Sequence, residues 1–147
     1  DAEGKNCIKC GAGYFGEGGE CIPCRRGTYS PIEGMELCPN CPKGRYVNET
    51  GAMNCSECKR GTISDPEAPW QCKACPLGRA SMADGLDECM ACPDGQYQDV
   101  IGSSACQSCA NVLQDPALWT TGTGSTSKDE CVCQKDFYRT PLIYTSG

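Results

Sequence analysis

Histidine is absent from these 147 residues. Without an imidazole, nucleophile activation of the Ser-His or Cys-His type is excluded. Aromatic residues make up only 7 %: two Trp, two Phe and six Tyr. A chain this poor in large apolar side chains cannot bury one continuous core and needs covalent staples instead. No run of 18 apolar residues occurs, which leaves no candidate for a membrane-spanning helix. Positive charge is scarce as well. Thirteen Lys and Arg stand against 19 Asp and Glu, for a net charge of −6 and a pI near 4.6, the wrong sign for tracking nucleic-acid phosphates. The first residues, DAEGKNC, lack the basic and apolar regions of a signal peptide. They read as the interior of a longer protein, and the expectation is a mature fragment whose signal peptide, and any anchor, lie outside it.

Cysteine, by contrast, is abundant: 16 residues, alongside 18 Gly and 10 Pro. That density marks a disulfide scaffold of the secretory pathway. The cysteines come as CxxC pairs at Cys7/Cys10, Cys21/Cys24, Cys38/Cys41, Cys55/Cys58, Cys72/Cys75, Cys89/Cys92 and Cys106/Cys109, then a CxC at Cys131/Cys133. From Cys21 to Cys106 the pairs start every 17 residues. Counting from the second cysteine of a pair, position 3 is Gly in six units, from Gly13 to Gly95. Position 5 holds Tyr29, Tyr46, Ile63, Ala80 and Tyr97, and the shorter first unit has Tyr14. Position 10 holds Gly34, Gly51, Gly85 and Gly102, with Ala68 as the exception. A column that is always Gly needs a positive φ or a close backbone approach. Each unit therefore reads as a short strand, a turn, a second short strand and a closing cysteine. The fold class expected is small and disulfide-rich, mostly β or irregular: an elongated rod of serial β-hairpin modules with no helices of note. The Cys58–Cys72 unit departs most, with Pro66, Pro69 and Trp70. The segment from Cys109 to Cys131 abandons the pattern, and its TTGTGSTS (120–127) reads as a flexible loop.

Two pairing schemes fit the spacing. A serial scheme joins Cys10–Cys21, Cys24–Cys38, Cys41–Cys55, Cys58–Cys72, Cys75–Cys89, Cys92–Cys106 and Cys109–Cys131. It treats every 14-residue loop alike but sends Cys7 and Cys133 to partners beyond the fragment. A crossed scheme, beginning Cys7–Cys21 with Cys10–Cys24 and ending at Cys109–Cys133, uses all sixteen. The spacing also suits zinc ribbons with four thiolates per ion. Against zinc stand the missing histidine, the acidic charge and the Gly/Tyr columns inside every interval.

The unit CPxGxYxxxxGxxxCxxC resembles the ephrin-receptor-like cysteine-rich repeat, found in tandem in large extracellular proteins. CGAGYFGEGGEC (10–21) resembles the Gly-Tyr loop that closes an EGF-like module. CVCQKDFYR (131–139) resembles the segment that follows such repeats in Eph receptors, with Asp136 where that family has Gly. The resemblance implies disulfides rather than metal, and its loops, shared with the tumour-necrosis-factor-receptor type, favour the serial scheme. The expected organisation is a short EGF-like first repeat at 7–23, five repeats at 24–109, a terminal module at 110–139 and a linker at 140–147.

No catalytic, cofactor-binding or metal-binding residue is assigned, and no enzyme is expected. The carboxylate pairs Asp87/Glu88 and Asp129/Glu130 are adjacent on turns without a cleft. Asn48-Glu49-Thr50 and Asn54-Cys55-Ser56 are glycosylation sequons; Asn48 sits at a loop tip, whereas Asn54 abuts a cysteine. The position-5 side chains are expected to pack over adjacent disulfides, with Ile63 and Ala80 marking weaker joints. Basic residues follow the opening cysteine (Arg25, Arg26, Lys43, Arg45, Lys59, Arg60, Arg79) and acidic ones lie at or beyond the turn, which suggests two lengthwise stripes of opposite sign. The function expected is that of an extracellular, cell-surface glycoprotein segment. It acts as a stalk or fibre (filament) subunit through protein partners or self-assembly, or alternatively as the spacer or ligand-binding part of a receptor ectodomain.

Overall fold

The computed structural model describes residues 7–139. Six two-stranded antiparallel hairpins follow one another along the chain. β1 (Tyr14–Glu17) pairs with β2 (Glu20–Pro23), β3 (Arg45–Tyr46) with β4 (Ser56–Glu57), and β5 (Thr62–Ser64) with β6 (Cys72–Ala74). β7 (Arg79–Ala80) pairs with β8 (Met90–Ala91), β9 (Gln96–Tyr97) with β10 (Gln107–Ser108), and β11 (Leu118–Trp119) with β12 (Val132–Cys133). The Cys24–Cys38 unit is held by the single bridge Thr28↔Asn40. Among the described residues helix is limited to one turn, α1 (Cys109–Val112), and a 3-10 turn at Lys128–Glu130. Both belong to the long terminal segment, where Ser108 and Ser127 cap them by accepting from Asn111 and Asp129 N–H groups. The expected linker at 140–147 lies outside the described residues.

Each unit opens with a tight turn. In the Cys41–Cys55 unit, Arg45 N–H donates to the Pro42 carbonyl at 3.1 Å, and Gly44 between them has φ +81°. A φ near +80° at the third residue defines a type II turn, which favours glycine because a Cβ is strained there. The same bond recurs as Thr28 to Arg25, Thr62 to Lys59, Arg79 to Pro76 and Gln96 to Pro93. The cysteine that opens the next unit then donates to the turn glycine: Cys58 N–H to Gly44 O at 2.9 Å, Cys75 to Gly61 at 3.0 Å and Cys92 to Gly78 at 2.9 Å. Turn and hairpin are thus closed by backbone bonds as well as by sulfur.

Successive units are not beads on a string. Three hydrogen-bond types lace each unit to the next. The position-3 amide reaches position 6 of the following unit, as in Gly27 to Val47 O, Gly61 to Ser81 O and Gly78 to Gln98 O, each at 2.8 Å. The position-6 amide reaches position 11, as in Ser30 to Ala52 O at 3.0 Å and Ser81 to Ser103 O at 3.2 Å. The position-10 glycine of the following unit donates back to the opening cysteine, as in Gly51 to Cys24 O at 2.8 Å and Gly85 to Cys58 O at 2.7 Å. Contact extends to the next unit but one. A Cβ placed on Gly44 would lie 1.9 Å from Gly85 O, and one on Gly61 2.3 Å from Gly102 O.

The cores are correspondingly small and repeated. Cys24, Cys58, Cys75, Cys92 and Cys109 are fully buried. Ile63 packs with Cys75, Cys89 and Leu86, and Tyr97 packs with Cys109, Cys131 and Leu118. The position-5 side chain therefore covers the disulfide of the following unit. Ile63 and Ala80 are 9 % and 1 % exposed, whereas Tyr14 is 42 % exposed and Tyr29 and Tyr46 are half-buried. The 120–127 loop is also docked rather than free. Thr120 is fully buried and its hydroxyl accepts from Gly95 N–H at 2.7 Å. Gly124 N–H donates to Cys92 O at 2.7 Å, as a position-10 glycine does. The repeat register resumes inside the insertion.

Candidate functional site

Disulfides link Cys10 to Cys21, Cys24 to Cys38, Cys41 to Cys55, Cys58 to Cys72, Cys75 to Cys89, Cys92 to Cys106 and Cys109 to Cys131 in the structure, with Cα separations of 5.4 Å to 5.8 Å. That is ordinary disulfide spacing. Cys7 is an exposed free thiol and Cys133 a half-buried one among the described residues.

The charges pair between units. Bases that follow one opening cysteine meet acids of the units beyond it. Lys43 lies 3.4 Å from Asp87, Lys59 3.5 Å and Arg60 3.8 Å from Asp84. Arg45 bonds Glu57 at 2.9 Å and the Cys55 carbonyl at 3.2 Å, and Arg79 repeats the second contact on Cys89 O at 3.0 Å. Arg26 lies over the Trp70 ring, 5.1 Å from its centroid, a favourable face for a cation. The Arg60 N–H that Asp84 accepts, with Lys59 and Arg60 nearby, holds its carboxyl below the usual range. Thr126 N–H does the same for Glu130. Burial raises the Tyr97 phenol, with the Asp99 charge adding to it. Asp87 and Glu130 of the two carboxylate pairs are thus engaged in pairing and capping.

The lacing fails at one joint. Ala68 replaces the position-10 glycine, and its N–H donates to Asp65 O at 3.1 Å within its own unit. Asp65-Pro66-Glu67-Ala68 is a turn with Asp first and Pro second, and the Asp65 carboxylate accepts from Glu67 N–H at 3.1 Å, the combination that stabilises such turns locally. The Cys41 carbonyl consequently receives no backbone N–H among the described residues. Cys41 is half-buried, unlike the fully buried opening cysteines of the neighbouring units. The position-3 bond here goes to a side chain, Gly44 N–H to Ser64 Oγ at 2.8 Å. A groove of 340 Å³ opens at this joint, with walls that include Pro42, Pro66 and Pro69.

Asn48 and Asn54 are both exposed and both border a second concavity, on the outer side of the Cys41–Cys55 turn. Asn48 Oδ1 accepts from Arg26 at 3.4 Å. The sequence reading missed the position-6 column: Ser30, Val47, Ser64, Ser81 and Gln98. Ser30 and Ser81 are fully buried, and Gln98 is 3 % exposed. Their signal was present as polar residues at four of the five positions one place after the aromatic column, with Val47 as the exception.

A family model described as tyrosine-protein kinase ephrin type A/B receptor-like matches three times in tandem, over residues 13–58, 44–85 and 78–131. A comparison with curated proteins found no match.

Proposed function

The chain belongs to the ephrin type A/B receptor-like family of cysteine-rich repeats, and from that premise we propose that it serves as a stiff extracellular spacer, a stalk or fibre segment that works through protein–protein contact. The observation that carries this reading is the lacing. Most joints combine a disulfide hand-over, backbone bonds to the next unit and a close approach of the turn glycine to the unit after it. Bending such an array breaks several of these at once, as in other repeat proteins whose units contact mainly their neighbours. The disulfide density supports an oxidising, extracellular setting. The sequons Asn48 and Asn54 are proposed to carry N-glycans, both on one side of the Cys41–Cys55 unit. The family's description names receptors, which favours a second reading, the spacer part of a receptor ectodomain.

Small-angle scattering of the oxidised chain over a concentration series tests the proposal. A compact domain of this length has a radius of gyration of about 15 Å. The expected result is a clearly larger value with the profile of a rigid rod. A compact profile, or the profile of a flexible coil, would sink the spacer reading. Growth of particle mass with concentration favours the fibre, and a constant monomer favours the receptor spacer.

A further inference from the structure

The groove at the Ala68 joint is built to accept something. At neighbouring joints a glycine amide sits on the opening-cysteine carbonyl, as Gly51 does on Cys24 and Gly85 on Cys58. Here Cys41 lines the groove, and its carbonyl has no backbone donor among the described residues. Its proline neighbours form an apolar wall and carry no N–H of their own to satisfy it. The charged lining is also unbalanced. Lys43 is paired with Asp87, and Arg45 with Glu57 and the Cys55 carbonyl. Glu88 makes no ion pair among the described residues, and Asp65, whose Oδ1 accepts from Glu67 N–H at 3.1 Å, has the distant Lys73 at 3.9 Å as its ion-pair partner. The groove therefore presents a backbone carbonyl and two carboxylates, all acceptors, beside an apolar wall.

We propose that this groove docks an extended basic segment of a partner protein. The partner's backbone N–H replaces the missing glycine amide on Cys41, and its Lys or Arg side chain meets Asp65 and Glu88. Strand-like backbone pairing would supply the register, and charge would select the sequence. The groove exists whether the array works as a fibre or as a receptor spacer, so the two proposals fail separately.

The test uses the oxidised, 15N-labelled chain and a blocked five-residue peptide of alternating Arg and Val, with a Glu/Val peptide as its opposite. The basic peptide is expected to shift amide resonances around Lys43–Arg45, Ser64–Glu67 and Asp87–Glu88, and the acidic one to leave them in place. Glu88→Arg should weaken binding by about fivefold to tenfold. Glu33→Arg, the same charge change on an exposed residue of the Cys24–Cys38 unit, should not. Methylating the peptide's backbone nitrogens keeps its charge and should cost about fivefold. Shifts spread over all acidic surfaces, equal losses in the two variants, or undiminished binding of the methylated peptide would each overturn the assignment.

Discussion

At the residue scale, Gly44 shows why the position-3 column admits no side chain. Its φ of +81° strains ordinary residues, and the Gly85 carbonyl fills the space a Cβ would occupy. Gly44→Ala is expected to destabilise the oxidised protein by about 2–4 kcal/mol, combining left-handed strain with overpacking. Gly18 has φ +61° but open space around it, so Gly18→Ala should cost only about 1 kcal/mol. Denaturant unfolding with disulfides intact compares them; equal losses would mean that the close approach yields freely. Part of this was legible, because an invariant glycine column points to either demand. That both act at once was not, since the second depends on a residue 41 positions away. Asp136 illustrates the converse. The sequence marks it as standing where the resembling family has glycine, and the structure gives it φ +73°.

At the element scale, the hairpin unit was readable from punctuation alone, because glycine and cysteine spacing leaves room for little except two short strands and a turn. The paired segments are often only two residues long, so propensity carried almost none of the information. The groove was half legible. Ala68, Pro66 and Pro69 stand out as departures from the pattern, yet nothing local reveals that the lost glycine amide belonged to the carbonyl of Cys41. Bond connectivity is a chemical question at this scale. Peptide mapping under non-reducing conditions, on protein secreted from eukaryotic cells, is expected to recover Cys41–Cys55 and its equivalents in each unit, with glycan mass on Asn48 and Asn54. A Cys7–Cys21 crosslink would replace the serial scheme by the crossed one, and bare asparagines would remove the glycans.

At the scale of the whole molecule, the charges work between units. Lys43, Lys59 and Arg60 reach acids of later units, but every one of these bases is largely exposed, with side-chain exposures of 66 % to 89 %. Exposed pairs contribute little and are screened by salt. Raising the salt concentration from low to molar is therefore expected to change unfolding stability by less than about 1 kcal/mol. A larger loss, measured by thermal or denaturant unfolding, would mean that ion pairs rather than lacing hold the array together. Two of the bases also hydrogen-bond the backbone of the array, Arg45 on the Cys55 carbonyl and Arg79 on the Cys89 carbonyl.

The sequence by itself determined the repeating unit, its turns and the need for covalent staples, because those follow from spacing within 17 residues and from the shortage of apolar side chains. Tertiary structure decided how units interlock: which buried serine takes which glycine amide, which disulfide each position-5 side chain covers, and where a carbonyl is left without its donor. Those outcomes depend on three consecutive units meeting in space. No pattern inside one unit records the position of the next but one.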